Sequence, residues 1–132
     1  MITCAMCDDE LPFAEQLRSL VMAYAKKKRV ELQAETFASA EELLEEIENG
    51  AGFEILFLDI EMRKMDGIEL GKKLRERSYQ TLIIYVSGYD QYMRQLFEAE
   101  PFRFLSKPLK QEELENVLDK AFERISRFHR EL

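Results

Sequence analysis

The sequence predicts one α/β domain, a doubly wound sheet of five parallel strands accompanied by five helices. Apolar strand segments alternate with amphipathic helical segments five times along the 132 residues, and no linker or internal repeat divides them. Two strand segments, residues 55–58 and 82–86, are apolar without interruption. This pattern is typical of parallel strands that helices cover on both faces. A chain of this length buries roughly two thirds of its unfolded surface, so it needs no disulfide.

The first half of the chain contains three strand segments and two helices. In order, we expect a strand at 2–7, a helix from about 12 to 29, a half-exposed edge strand at 30–36, a helix from 39 to 48 and a buried strand at 55–58. Pro12 suits the first turn of a helix, where no amide donor is needed. Ser39 and Glu42 form a capping box, and Asn49-Gly50 ends the helix that they begin.

The second half repeats the alternation. A loop from Glu61 to Gly67 leads into a third helix, followed by a strand at 82–86, a fourth helix over about Asp90 to Ala99, a strand at 102–105 and a last helix to about Phe128. Pro101 ends the fourth helix. The last helix has the longest apolar stripe of the chain, from Leu114 to Ile125 at helical spacing.

The charge and the apolar segments exclude several classes of partner. The net charge is −7, which argues against direct binding of nucleic acid by this domain, because such binding uses clustered cations. The one basic run, Lys26 to Arg29, closes a helix, where cations favour the negative end of the helix dipole. No segment approaches the roughly 20 apolar residues of a membrane span, and Met1 begins no signal peptide. We therefore expect a cytoplasmic protein without a membrane partner.

Cys4 and Cys7 have the spacing of a redox pair or of half a zinc site. They fall within one predicted strand, where side chains three positions apart point to opposite faces. No second cysteine pair or group of histidines completes a metal site. We interpret both as buried structural thiols.

Polar residues follow the predicted strands where each strand ends. They are Asp8 and Asp9 after the first strand, Asp59 after the third, Ser87 after the fourth and Lys107 after the fifth. Right-handed crossovers bring the carboxyl ends of parallel strands to one edge of the sheet, so we expect these residues to converge. Three carboxylates without Cys or His select a hard cation, and we expect Mg²⁺ held by the three aspartates. Asp59 would then attack a phosphoryl group while Lys107 neutralises phosphate charge and Ser87 donates its hydroxyl.

The chain as a whole resembles a response-regulator receiver domain of two-component signalling. The motifs that carry the resemblance are Cys7-Asp8-Asp9-Glu10, Asp59-Ile60-Glu61-Met62, Met65-Asp66-Gly67, Val86-Ser87-Gly88 and Ser106-Lys107-Pro108. The resemblance implies a flavodoxin-like strand order of 2-1-3-4-5. It also implies that Asp59 accepts phosphate from a sensor histidine kinase, and that Asp8, Asp9 and the backbone carbonyl of Glu61 bind Mg²⁺. Such domains promote their own phosphotransfer and dephosphorylation and are not conventional turnover enzymes.

The resemblance further implies a switch. Ser87 moves toward the phosphate, and the aromatic residue at position 104, here Phe104 rather than the more usual Tyr, turns inward. The surface over the fourth helix, fifth strand and last helix then changes, to control a homodimer or an output domain. A cis Lys107–Pro108 bond is frequent in such domains. Arg63 replaces a common Pro, so the loop after Asp59 is either more mobile or carries a cation near the phosphate.

The residues from Ser87 to Tyr92 and from Phe97 to Leu105 look like receivers attached to LytTR-type DNA-binding domains, which suggests a role in transcription. We expect the whole chain, 1–132, to be the receiver without an output domain. A fragment of a longer regulator and a stand-alone receiver both stay open.

Two other functions stay open beside the receiver. An aspartate-nucleophile phosphohydrolase also uses Asp and Mg²⁺, but it places its nucleophile after the first strand. A receiver-like interaction module would work without phosphorylation. A flavin carrier is disfavoured, because Asp8 and Asp9 would repel its phosphate. His129, the one histidine, lies on the last helix, away from the acidic edge, and we expect nothing around it to orient or tune it, so we interpret it as a solvated residue rather than a phosphodonor.

Overall fold

A computed structural model describes residues 1–77, 79–88 and 99–131, and of residues 130 and 131 it describes the backbone alone. The elements are β1 (Ile2–Cys7), α1 (Leu11–Lys27), β2 (Leu32–Phe37), α2 (Ala40–Glu48), β3 (Ile55–Asp59), α3 (Gly67–Glu76), β4 (Leu82–Ser87), β5 (Arg103–Ser106) and α4 (Gln111–Glu131). All strand pairs are parallel, in the order β2-β1-β3-β4-β5. The predicted fold class and strand order are therefore confirmed.

The number of helices differs from the prediction. The described part of the chain holds four helices rather than five. The fourth predicted helix, about Asp90 to Ala99, lies outside the described residues except for Ala99. The last helix runs to Glu131, three residues beyond the predicted end near Phe128.

Local signals explain most of the observed boundaries. Ser39 accepts a hydrogen bond from the amide of Glu42 at 3.1 Å, which satisfies a free amide at the start of α2. At the other end, Asn49 caps α2, and Gly50 has a φ of 103°, a left-handed conformation that suits glycine. Helix α1 ends at Lys27 rather than near Arg29, because Arg29 itself takes a left-handed φ of 60°.

The core has two layers, one on each face of the sheet. Helices α1 and α4 cover one face, and α2 and α3 cover the other. Cys4 packs in the first layer and Cys7 in the second; both are buried and free, as predicted from their spacing. Strand β3 is buried along its whole length, which agrees with its uninterrupted apolar sequence.

The outer surfaces agree with the charge pattern. The side chains from Lys26 to Arg29 are exposed where α1 ends. Within the described residues, none of the helices is both long and apolar enough to cross a membrane.

Candidate functional site

The carboxyl ends of the strands bring the predicted site residues to one edge of the sheet. Asp59 is the last residue of β3, and Ser87 is the last residue of β4. Asp8 follows β1 directly, and Lys107 follows β5. Asp8, Asp59 and Ser87 are buried, with exposed fractions of 3%, 6% and 1%. The parallel topology therefore brings these residues close together in space, although they are far apart in the sequence.

Two carboxylates contact the ammonium group of Lys107. Its Nζ donates to Asp8 Oδ2 at 2.9 Å and lies 3.6 Å from Asp59 Oδ1. The other oxygen of Asp8, Oδ1, accepts a hydrogen bond from the amide of Glu10 at 2.8 Å. Asp8 is thus held from both sides, and Lys107 is nearer to Asp8 than to Asp59.

The electrostatics of the site raise the pKa of Asp59. Burial, and next the charge of Asp8, raise the pKa of Asp59 from its ordinary value of 3.8 to about 7, although Lys107 opposes this shift. For Lys107, burial favours the neutral form, but the hydrogen bond to Asp8 and the charges of Asp59 and Asp8 outweigh it, so the pKa of Lys107 is raised. The site therefore holds more negative charge than one lysine neutralises.

The donor atoms of the site suit a divalent cation. Asp8, Asp9 and Asp59 each offer an oxygen within 4.8 Å of the others, and Asp9 is exposed. A set of carboxylate oxygens without nitrogen or sulfur ligands fits a hard cation that keeps some of its water. A bound cation would also relieve the repulsion that raises the pKa of Asp59. Of the predicted ligands, the structure brings together these three.

The loop after β3 approaches the site through Gly67. A Cβ at this position would lie 2.1 Å from the backbone oxygen of Asp59, so only glycine fits. The amide of Gly67 donates to the carbonyl of Ile60 at 3.0 Å. Asp66 caps α3 by accepting from the amide of Glu69 at 2.8 Å. The start of α3 is therefore fixed against the end of β3.

The remaining predicted residues surround this edge. Phe104 is half-buried on β5, in register with Tyr85 of β4. The backbone carbonyl of Ser87 accepts from the amide of Lys107 at 3.0 Å, and the Lys107–Pro108 bond is cis, as the resemblance implied. Glu61 is exposed just beyond β3, and a metal-binding role for its carbonyl stays a prediction.

Several contacts were not foreseen from the sequence. The ring of Phe13 lies under Lys107, with Nζ 4.4 Å from the ring centroid, whereas its helical spacing indicated only a core position. At the opposite edge of the sheet, His129 Nε2 lies 2.9 Å from Glu54 Oε2. The expectation that no residue orients His129 was wrong, because Glu54 is distant from it in sequence and near it only in the fold. Its expected position away from the acidic edge is confirmed.

Comparisons with known proteins show the family of the chain. Residues 5–119 match the family described as response regulator receiver domain. The sensory transduction protein LytT of Bacillus subtilis is 24% identical over 127 residues, which cover 96% of this chain and 50% of LytT. The transcriptional regulatory protein LytR of Staphylococcus aureus is 34% identical over 69 residues, which cover 52% of this chain and 28% of LytR.

A solved structure supports the same fold. The response regulatory domain of protein mrkE from Klebsiella pneumoniae has a TM-score of 0.85 at 18% identity, covering 96% of this chain and 99% of that domain. The chain spans about half the length of the first curated relatives that it matches. From the match over 115 of its residues, 5–119, the chain belongs to the response regulator receiver domain family.

Proposed function

We propose that this protein is a phosphorylation-dependent signalling switch, in which Asp59 accepts a phosphoryl group from the phosphohistidine of a sensor histidine kinase. The observation that carries the proposal is the position of Asp59, 3.6 Å from the Lys107 ammonium and beside two further carboxylates. Phosphoryl transfer depends mainly on alignment and on neutralising charge, which such a set of groups provides. Receiver domains are signalling switches rather than conventional turnover enzymes.

The proposed step uses groups of this chain in defined roles. An oxygen of ionised Asp59 attacks the phosphorus in line, the bond from phosphorus to the donor nitrogen breaks, and its electron pair stays on the imidazole. Lys107 binds a phosphoryl oxygen, and the hydroxyl of Ser87 donates to another. Mg²⁺ held by Asp8, Asp9, Asp59 and the carbonyl of Glu61 would supply additional positive charge to the phosphoryl oxygens. Water would later hydrolyse the aspartyl phosphate at the same site.

The output of the switch is part of the proposal. Movement of Ser87 toward the phosphate would let Phe104 turn inward, and this would change the surface that includes β5 and α4. Phe104 is half-buried and packs against the core layer beneath α2 and α3, so an inward turn changes existing packing. The description of LytR as a transcriptional regulatory protein supports a role of the switch in transcription, and the proposed target of the changed surface is a DNA-binding output domain. Dimerisation of the phosphorylated form and a cytoplasmic location stay predictions.

Intact-mass spectrometry with acetyl phosphate and Mg²⁺ tests the phosphoacceptor role. We expect one added phosphoryl group on the wild type, none on Asp59→Asn, and one on the control Asp119→Asn. Asp119 lies on α4, and an asparagine there can still accept the hydrogen bond that the hydroxyl of Tyr24 donates. An unchanged wild-type mass with fresh donor and metal would contradict the proposal. Release of many phosphates per protein would instead support a phosphohydrolase. Light scattering on the phosphorylated sample tests dimerisation.

A further inference from the structure

We propose that Phe13 is a positioning residue for Lys107, holding the ammonium group at the site when Asp8 and Asp59 bind a metal ion. The inference rests on the proposed phosphoacceptor function and extends it to a residue of α1. A phenyl face attracts an ammonium group through its quadrupole, with significant strength within about 6 Å. The Lys107 Nζ lies 4.4 Å from the Phe13 centroid, well inside this range.

In the described part of the chain, the Lys107 ammonium has few partners, and the ring of Phe13 is one of them. The ammonium has three partners within the described residues: the carboxylates of Asp8 and Asp59, at 2.9 and 3.6 Å, and the ring of Phe13. The side chain of Lys107 is 23% exposed, so water reaches only part of it. In a partly dehydrated site a cation–π contact is stronger than on an open surface.

The carboxylates of Asp8 and Asp59 contact Lys107 and are also candidate ligands of a metal ion. Asp8 and Asp59 both belong to the three-carboxylate group that suits a divalent cation. A cation bound there would weaken the hold of Asp8 and Asp59 on Lys107, because both positive charges would be attracted to the same two carboxylates. The phenyl ring of Phe13 is not a ligand for a hard cation, so it would remain a partner of Lys107. The ammonium would thereby stay where an incoming phosphoryl group arrives.

The start of α1 places Phe13 in this position. Asp8 Oδ1 accepts from the amide of Glu10, and the amide of Phe13 in turn donates to the carbonyl of Glu10 at 3.0 Å. One short turn therefore fixes both Asp8 and Phe13. Phe13, Asp8 and Asp59 also line the same narrow space between α1 and the sheet. The ring therefore lies on the side of the site that α1 forms.

Chemical labelling of Lys107 with Mg²⁺ present and without phosphate tests the contact in the state for which the ring is proposed to matter. Reductive methylation in a Mg²⁺ buffer, followed by peptide mass spectrometry, gives the rate at Lys107 relative to exposed Lys120 in the same molecule. Phe13→Leu keeps an apolar side chain but removes the ring, and we expect the relative rate to rise about three- to tenfold. Phe13→Tyr keeps the ring and should restore the wild-type rate. Leu20→Ala, another half-buried apolar position of α1, should leave it unchanged.

A second measurement connects the contact to the reaction. With acetyl phosphate and Mg²⁺, the rate of phosphorylation of Phe13→Leu should fall about three- to tenfold, and Phe13→Tyr should recover it. Equal labelling of Lys107 in Phe13→Leu and wild type, or no recovery in Phe13→Tyr, would overturn the role of Phe13. If the wild type accepts no phosphate, the proposed function fails while the labelling result still decides whether Phe13 holds Lys107.

Discussion

The ionisation of Asp59 should make the metal-free protein less stable as the pH rises. The pKa of Asp59 is about 7 in the folded protein and 3.8 ordinarily, so the folded state holds a proton that the unfolded state releases between these values. The stability associated with Asp59 is therefore fully present below pH 3.8 and is lost as the pH rises through about 7. Asp59→Asn removes this loss, because an amide stays neutral.

The size of the effect follows from the shift. At about 1.4 kcal/mol per pH unit, the displacement sets a ceiling of about 4 kcal/mol. Asp59 itself is buried, but Asp9 is exposed and the Lys107 side chain is 23% exposed, and screening by solvent at these groups reduces the expected gain to about 2 kcal/mol. Asp59→Asn should therefore be more stable than the wild type by about 2 kcal/mol at pH 8, relative to their difference at pH 4.

Urea unfolding in EDTA, followed by far-ultraviolet circular dichroism at pH 4, 6 and 8, measures this difference. Because the free energy of unfolding of Asp59→Asn is compared with that of the wild type at each pH, the contributions of groups that titrate elsewhere in both proteins cancel. Asp119→Asn removes one negative charge outside the site and controls for the net charge of −7. A difference between Asp59→Asn and the wild type that does not change with pH would refute the reasoning. A wild type that becomes the more stable protein at pH 8 would show that the contact with Lys107 outweighs burial.

Three further substitutions test other contacts. Asp9→Ala should weaken Mg²⁺ binding in a calorimetric titration, because it removes one of three carboxylates. Gly67→Ala should destabilise the fold by more than about 2 kcal/mol in urea, since the new Cβ would meet the backbone oxygen of Asp59. Arg75→Lys should cost about 2–4 kcal/mol, because the guanidinium donates to four backbone carbonyls, whereas Arg77→Lys at an exposed ion pair should cost less than about 1 kcal/mol.

Each of these expectations has a contradicting result. Unaltered Mg²⁺ affinity in Asp9→Ala would remove Asp9 from the ligand set. For Gly67, the control is Gly52→Ala, where no atom lies within 4 Å of the added Cβ, and equal losses at both positions would refute the steric argument. Similar losses for Arg75→Lys and Arg77→Lys would show that the geometry of the carbonyl contacts is unimportant.

Helix ends and strand burial could be predicted because their signals are local. Ser39 and Glu42 are three residues apart, and their hydrogen bond is the one that the capping box specifies. The apolar run before Asp59 likewise predicted a strand buried on both faces. The convergence of Asp8, Asp59 and Lys107 followed from topology, because parallel strands end at one edge whatever the loops contain.

Contacts between distant side chains could not be predicted in the same way. The helical spacing of Phe13 is satisfied by any core position on α1, and nothing near it in sequence indicates Lys107. Arg75 is an ordinary charged residue in its helix, yet it donates to the carbonyls of Ala99 and Glu100, which follow β4 in the sequence. Such contacts depend on rotamers and loop paths that no short pattern specifies.

The sequence by itself determined the alternation of elements, the buried central strands and the set of residues at the strand ends, because these depend on periodicity, capping and chain connectivity. Only the tertiary structure decided which carboxylate lies nearer to the Lys107 ammonium and in which direction the pKa of Asp59 shifts. Lys107 lies closer to Asp8 than to Asp59, and the pKa of Asp59 rises despite the ammonium nearby. The physical reason is that desolvation and Coulomb energies depend on burial and on differences of less than 1 Å, which residue spacing cannot determine.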